Sequence, residues 1–145
     1  MRTIAPIAAL LLWNVAAQAQ NNELPRSSAP DRAAAYIISP ANGETVSSPV
    51  TIKFGLQGMG VAPAGVQQAN TGHHHLLIDV DTLPPDNLPL PATDQIVHFG
   101  GGQTETTIAL APGTHTLQLV LGDHLHIPHN PPVRSRRITI NVAAD

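Results

Sequence analysis

Two histidine pairs, each spaced by one residue, carry the chemistry that this chain could do. His73 and His75 lie in GHHHLLIDVD at residues 72–81, and His124 and His126 lie in LGDHLHIPHNPPV at residues 121–133. In an extended strand, residues i and i+2 share a face about 7 Å apart, so each pair can aim two imidazoles at one ion. Two more histidines belong with them: His98, just before the glycines at 100–102, and His129, three residues past His126. Pro128, Pro131 and Pro132 stiffen the segment bearing His126 and His129, which lowers the entropy cost of holding ligands. The candidate metal ligands are therefore His73, His75, His98, His124, His126 and His129. Three residues are weaker or supporting candidates. His74 has the opposite strand phase, Asp123 can accept from a ring and fix its orientation, and Glu105 can offer an oxygen ligand or a base.

The donor types limit the ion. Imidazole with oxygen donors suits Cu(II) or Zn(II), whereas Cu(I) prefers sulfur and Ca(II) an oxygen cage. The chain has no cysteine, and past Met1 its only methionine is Met59. The Irving–Williams order puts Cu(II) above Zn(II). Ligation needs neutral imidazole, with an ordinary pKa of about 6.5, so affinity is expected to fall as pH drops from about 7 to 5.

A period of two runs through most of the chain and supplies the elements that position these residues. It predicts strands at 36–38, 50–56, 76–80, 95–99, 106–110, 115–121 and 138–142, separated by Gly- and Pro-rich turns. Leu76, Ile78 and Val80 take the core face of the third strand, while His73, His75, Leu77 and Asp79 take the other face. Residues 57–72 read as a long connection with a turn of helix near 65–69. The prolines at 84, 85, 89 and 91 make residues 81–94 a loop. Seven short strands without a convincing amphipathic helix predict an all-β fold, an immunoglobulin-like two-sheet antiparallel sandwich. In that topology the second-to-third, fourth-to-fifth and sixth-to-seventh connections share one end. Seven of the eight histidines then converge there, with His98 closing the fourth strand. His115 belongs at the opposite pole, in LAPGTHTLQL at 110–119, where its inward phase suits a corner hydrogen bond.

Composition sets the surroundings. Arg2, the apolar residues 4–15 and Ala17-Gln18-Ala19 make residues 1–19 read as a signal peptide. Its apolar stretch is shorter than the roughly 20 residues a membrane span needs. The mature chain is thus expected to start near Gln20, periplasmic or secreted, with no membrane span. Residues 20–33 read as a flexible lead-in and residues 34–145 as one sandwich domain. Without Arg2, six basic residues stand against ten acidic ones, which with few aromatics argues against nucleic acid as a partner. No lysine follows the glycines at 100–102, so they do not form a phosphate loop, and no serine sits in a nucleophile elbow.

Three blocks carry a family resemblance: GVAPAGVQQANTGHHHLLID at 60–79, HFGGGQTE at 98–105 and LAPGTHTLQLVLGDHLHIPHNPPV at 110–133. Over residues 50–142 the chain resembles the domain-of-unknown-function 4399 family of small exported bacterial proteins. The resemblance implies export and a single unit built from the three blocks, and it assigns no catalytic residue. Three classes of function remain. The chain can be an exported metal-binding protein, or a module that binds another envelope component with histidines ordering its loops. The third class is a histidine-ligated metalloenzyme, which would need an open coordination position and a nearby base.

Overall fold

Alternation of apolar and polar side chains builds two sheets. The computed structural model describes residues 24–144. The expected signal peptide at 1–19 lies outside the described residues, as do positions 20–23. Nine strands follow in order: β1 (Ala34–Ser39), β2 (Thr45–Val46), β3 (Val50–Gln57), β4 (Gly60–Val61), β5 (Thr71–Ile78), β6 (Ile96–His98), β7 (Glu105–Ile108), β8 (Gly113–Gly122) and β9 (Ile138–Val142). One sheet has the order β1-β3-β7, all antiparallel. The other runs β2-β9-β8-β5-β4, with β6 also paired to β5. The fold is the expected all-β sandwich. Its two added strands, β2 and β4, are two-residue pieces paired in parallel to β9 and β5. The 57–72 connection holds β4 and turns instead of the expected turn of helix. Among the described residues no helix is long and apolar enough to cross a membrane.

Between the sheets, Val50, Ile52 and Phe54 of β3 meet Leu76 and Ile78 of β5, Leu117, Leu119 and Leu121 of β8, and Ile140 of β9. Each such side chain contributes about 1.5–3 kcal/mol on burial, the term that holds a disulfide-free domain together.

A second apolar cluster covers the outer face of β5 and β8. Leu77, Ile96 and Val120 pack under Leu90, with Leu83 alongside and also Val80, which the period predicts on the core face but which lies past the end of β5, beyond Asp79 with φ of 54°. The proline-rich loop thus folds back over the sheet, tied by Leu90 N–H to the His126 carbonyl (2.9 Å) and by Arg134 to Asp86 (2.9 Å). With that cluster over Leu77 and the rings of His98 and His126 beside His73 and His75, β5 is buried from Gly72 to Ile78.

The fourth predicted strand, as β6, pairs with β5 and aligns His98 with His75. The described part of the lead-in is bonded to the segment after β8. Arg26 donates to the carbonyls of Pro128 (3.0 Å) and His129, and Ser28 bridges to Asn130. Side chains of residues 24–33 find buried partners that a composition argument does not see.

Candidate metal centre

Register decides which rings meet. On β5, His73 and His75 point to the outer face, opposite Gly122 and Val120 of β8. On the other side of β5, His98 stands across from His75. β8 ends at Gly122, and a turn follows in which His126 N–H bonds to the Asp123 carbonyl and Asp123 N–H to the Ile127 carbonyl (both 2.9 Å). His126 closes this turn with φ of 67°, a left-handed conformation that non-glycine residues adopt only where the surroundings enforce it. The turn swings His126 back over β5.

The Asp123 carboxylate holds the turn. Oδ1 accepts from the N–H of Leu125 (2.9 Å) and Ile127 (3.1 Å), and Oδ2 from the Ser27 hydroxyl (2.9 Å) and N–H (3.3 Å). Burial pushes its pKa up, but the bonds from Leu125, Ser27 and Ile127 outweigh burial and leave it below the usual value. Asp123 therefore fixes a loop, and its acceptors are spent on backbone and Ser27 rather than on a ring.

Two glycines make room. A Cβ on Gly122 would lie 2.6 Å from His75 Cε1 and 3.1 Å from Nδ1, and one on Gly100 would lie 2.3 Å from His98 Cε1. The rings of His75 and His98 lie where those side chains would be. The sequence reads the glycines at 100–102 only as a turn and gives Gly122 no role; the available signal for Gly122 is a glycine ending the apolar run LVLG.

Four rings converge. Centroid distances are 4.7 Å for His73–His75, 4.9 Å for His73–His98 and His73–His126, 5.1 Å for His75–His98, 4.6 Å for His98–His126 and 5.9 Å for His75–His126. His73, His98 and His126 each offer a ring nitrogen within 4.8 Å of the others, and the Nε2 atoms of His98 and His126 are 3.1 Å apart. His73 and His75 are 0% and 1% exposed, whereas His98 and His126 reach solvent in part. Neither ring nitrogen of His73 or of His74 has a hydrogen-bond partner. An unpaired buried polar group costs about 1–3 kcal/mol, and a whole domain is stable by only about 5–15 kcal/mol.

Burial keeps His73, His74 and His75 neutral. Burial lowers the His73 pKa to about 4, helped by the charges of His126 and His98 and partly opposed by Asp123. Burial lowers His75 to about 3, with the charges of His73, His98 and His126 adding to it and a hydrogen bond to the His73 backbone partly opposing it, and burial alone lowers His74 to about 4. Burial and then His126 lower His98. Neutral imidazole is the ligating form, so protons compete at His73 and His75 only below the pH range where free imidazole titrates.

The other candidates lie elsewhere. His124 and His129 line a cleft of about 280 Å³ with Ser27, Asn70 and Thr71. His129 is buried with Nε2 3.0 Å from the Thr71 carbonyl and Nδ1 unpartnered. The His124-x-His126 pair does not act as a pair, because the chain turns between them and the strand period is lost. His74 points to the core, 5.3 Å from the Phe54 ring. Glu105 is exposed on β7 opposite Lys53, in the other sheet. His115 sits at the far end of β8, bonded to Asp79 Oδ2 (2.7 Å) and the Ala111 carbonyl (2.8 Å), as a corner residue should be.

Fold and site together define a two-sheet sandwich with a cluster of four imidazoles at one pole, two of them buried and two partly open to solvent. The family model "Domain of unknown function (DUF4399)" matches residues 52–143, and the chain belongs to that family. No curated protein and no solved structure matches the chain.

Proposed function

We propose that this protein is exported and binds a transition-metal ion, Cu(II) or Zn(II), with the imidazoles of His73, His98 and His126 at the heart of the site. One observation carries the reading: the buried ring nitrogens of His73 on β5 have no hydrogen-bond partner, and one of them lies within 4.8 Å of ring nitrogens offered by His98 from β6 and His126 from the turn after β8. A cap that merely ordered loops would bond its rings to backbone, as His129 and His115 do. His73 makes no such bond, and burial holds both His73 and His75 in the neutral form that a metal takes. A bound ion would satisfy one nitrogen on each ring and offset a cost that apolar packing cannot.

Export is supported by the pattern of residues 1–19, and the purified mature protein is expected to begin at Gln20 on N-terminal sequencing. The metal reading is tested by stripping the untagged protein with chelator and titrating Zn(II) and Cu(II) against it and its His73→Ala/His126→Ala variant. One ion should bind per wild-type chain, and the variant should bind far more weakly. Equal, weak binding by both would leave an envelope interaction module as the better reading.

A further inference from the structure

We infer that His75 is a fourth ligand, so that His73, His75, His98 and His126 form a closed tetrahedral sphere fitted to Zn(II) rather than Cu(II). This rests on the reading above that an ion is held here at all.

The six centroid distances carry the argument. With zinc–nitrogen bonds of about 2.0–2.1 Å, a ring centroid lies about 3.2 Å from the ion, and tetrahedral ligands then have centroids about 5.2 Å apart. In a square plane the same rings would lie about 4.5 Å apart along the edges and about 6.3 Å apart across both diagonals. Five of the observed distances fall between 4.6 and 5.1 Å, and the sixth is 5.9 Å. If His75 and His126 were one diagonal, His73 and His98 would have to be the other, and they are only 4.9 Å apart. The four ring centroids lie near the corners of a tetrahedron; the nitrogens of His73, His98 and His126 already lie within 4.8 Å of one another, and the His75 ring must turn inward to bring its own nitrogen to the ion. Tetragonal Cu(II) does not match that arrangement, whereas a d¹⁰ ion without directional preference does. Cu(I) shares the d¹⁰ shell, but it favours sulfur donors, and the cluster is all nitrogen.

Closure also narrows the role. A catalytic zinc keeps a position for water or substrate, and four protein ligands leave none. His73 and His75 are fixed on a strand buried on both faces, while His98 and His126 form the side that reaches solvent. The ion would enter and leave between His98 and His126. That suits holding and passing on zinc, not hydrolysis.

Co(II) is the probe, because its visible d–d absorption is intense in four-coordinate tetrahedral sites and weak when water raises the coordination number. The metal-stripped full chain is titrated with Co(II), then back-titrated with Zn(II) and Cu(II), beside His75→Ala and the space-filling His75→Leu. His124→Ala is the control. Wild type and His124→Ala should show the intense bands. Both His75 variants should still take up Co(II), but on the order of tenfold or more weakly, with the bands collapsed. Their preference should also shift toward Cu(II) as the opened sphere flattens. If either folded His75 variant keeps wild-type affinity and spectrum, His75 is not a ligand, and a three-histidine site stands. If wild type takes up Co(II), Zn(II) and Cu(II) no better than the His73→Ala/His126→Ala variant, both readings fall.

Discussion

Gly122→Ala puts a single methyl group against the proposed centre. Its Cβ would lie 2.6 Å from His75 Cε1, whereas carbon atoms in contact sit about 3.5–4.0 Å apart, so the ring must retreat by about 1 Å. The backbone cannot yield easily, because Gly122 is paired with His73 on β5, and its Cβ would also lie 3.2 Å from the His126 Cα. The ring has little room to move, being 1% exposed and packed against His73 and His98. Metal–ligand distances hold within about 0.2 Å, so a 1 Å displacement breaks the bond. The expected result is a loss of about 10- to 100-fold or more in Zn(II) affinity, with overpacking that destabilises the metal-free protein by about 1–3 kcal/mol. Gly60→Ala is the control, since its nearest contact would be an ordinary 3.6 Å. Gly100→Ala crowds His98 more closely, but His98 is partly exposed and can rotate away, so it should lose affinity at less cost in stability. The measurements are Zn(II) titration against a competing chelator and urea unfolding with chelator present. A Gly122→Ala protein that is folded and binds Zn(II) within about twofold of wild type would refute the placement of His75.

Other perturbations give separate readouts. With a folded pKa of about 4 against an ordinary 6.5, His74 contributes stability that is complete above pH 6.5 and is lost as pH falls toward 4. In metal-free protein, lowering pH from about 7 to 4.5 should therefore cost wild type on the order of 2 kcal/mol more than His74→Leu, by urea unfolding at both pH values. Parallel losses would mean that burial does not hold His74 neutral. The Asp79 side chain, and then the Ala111 carbonyl, raise the His115 pKa, so its contribution is complete below pH 6.5 and fades as pH rises through the raised value. His115→Ala should thus destabilise more at pH 6 than at pH 9, and it should leave Zn(II) affinity unchanged because the residue lies at the far pole. Leu119→Ala, at a fully buried core position, should cost about 2–5 kcal/mol in the same unfolding assay. Ser27→Ala removes a hydrogen bond that holds Asp123 and hence the His126 turn. It should weaken Zn(II) binding without shifting the far-UV spectrum of the sheets.

The sequence alone determined what depends on local backbone period. Alternation placed Leu76 and Ile78 on the core face and His73 and His75 on the other, because a strand turns successive side chains to opposite sides whatever it pairs with. The turn residues cut the chain into strands of nearly the right lengths, and the order of those strands sent His115 to the pole away from His73. The tertiary structure decided everything that depends on contacts distant in the chain. No local signal tells that β6 pairs with β5, yet only that pairing sets His98 beside His75. Nor does a period reveal that Leu83 and Leu90 fold back to cover Leu77 on the outer face, or that His98 and His126 close over His73 and His75, which are buried. His126 joins the cluster and His124 does not, because a left-handed residue reverses the chain after Gly122 and ends the strand period there. A strand's phase is fixed by its own stereochemistry, whereas partner and cover are chosen by the burial that the whole chain can achieve at once.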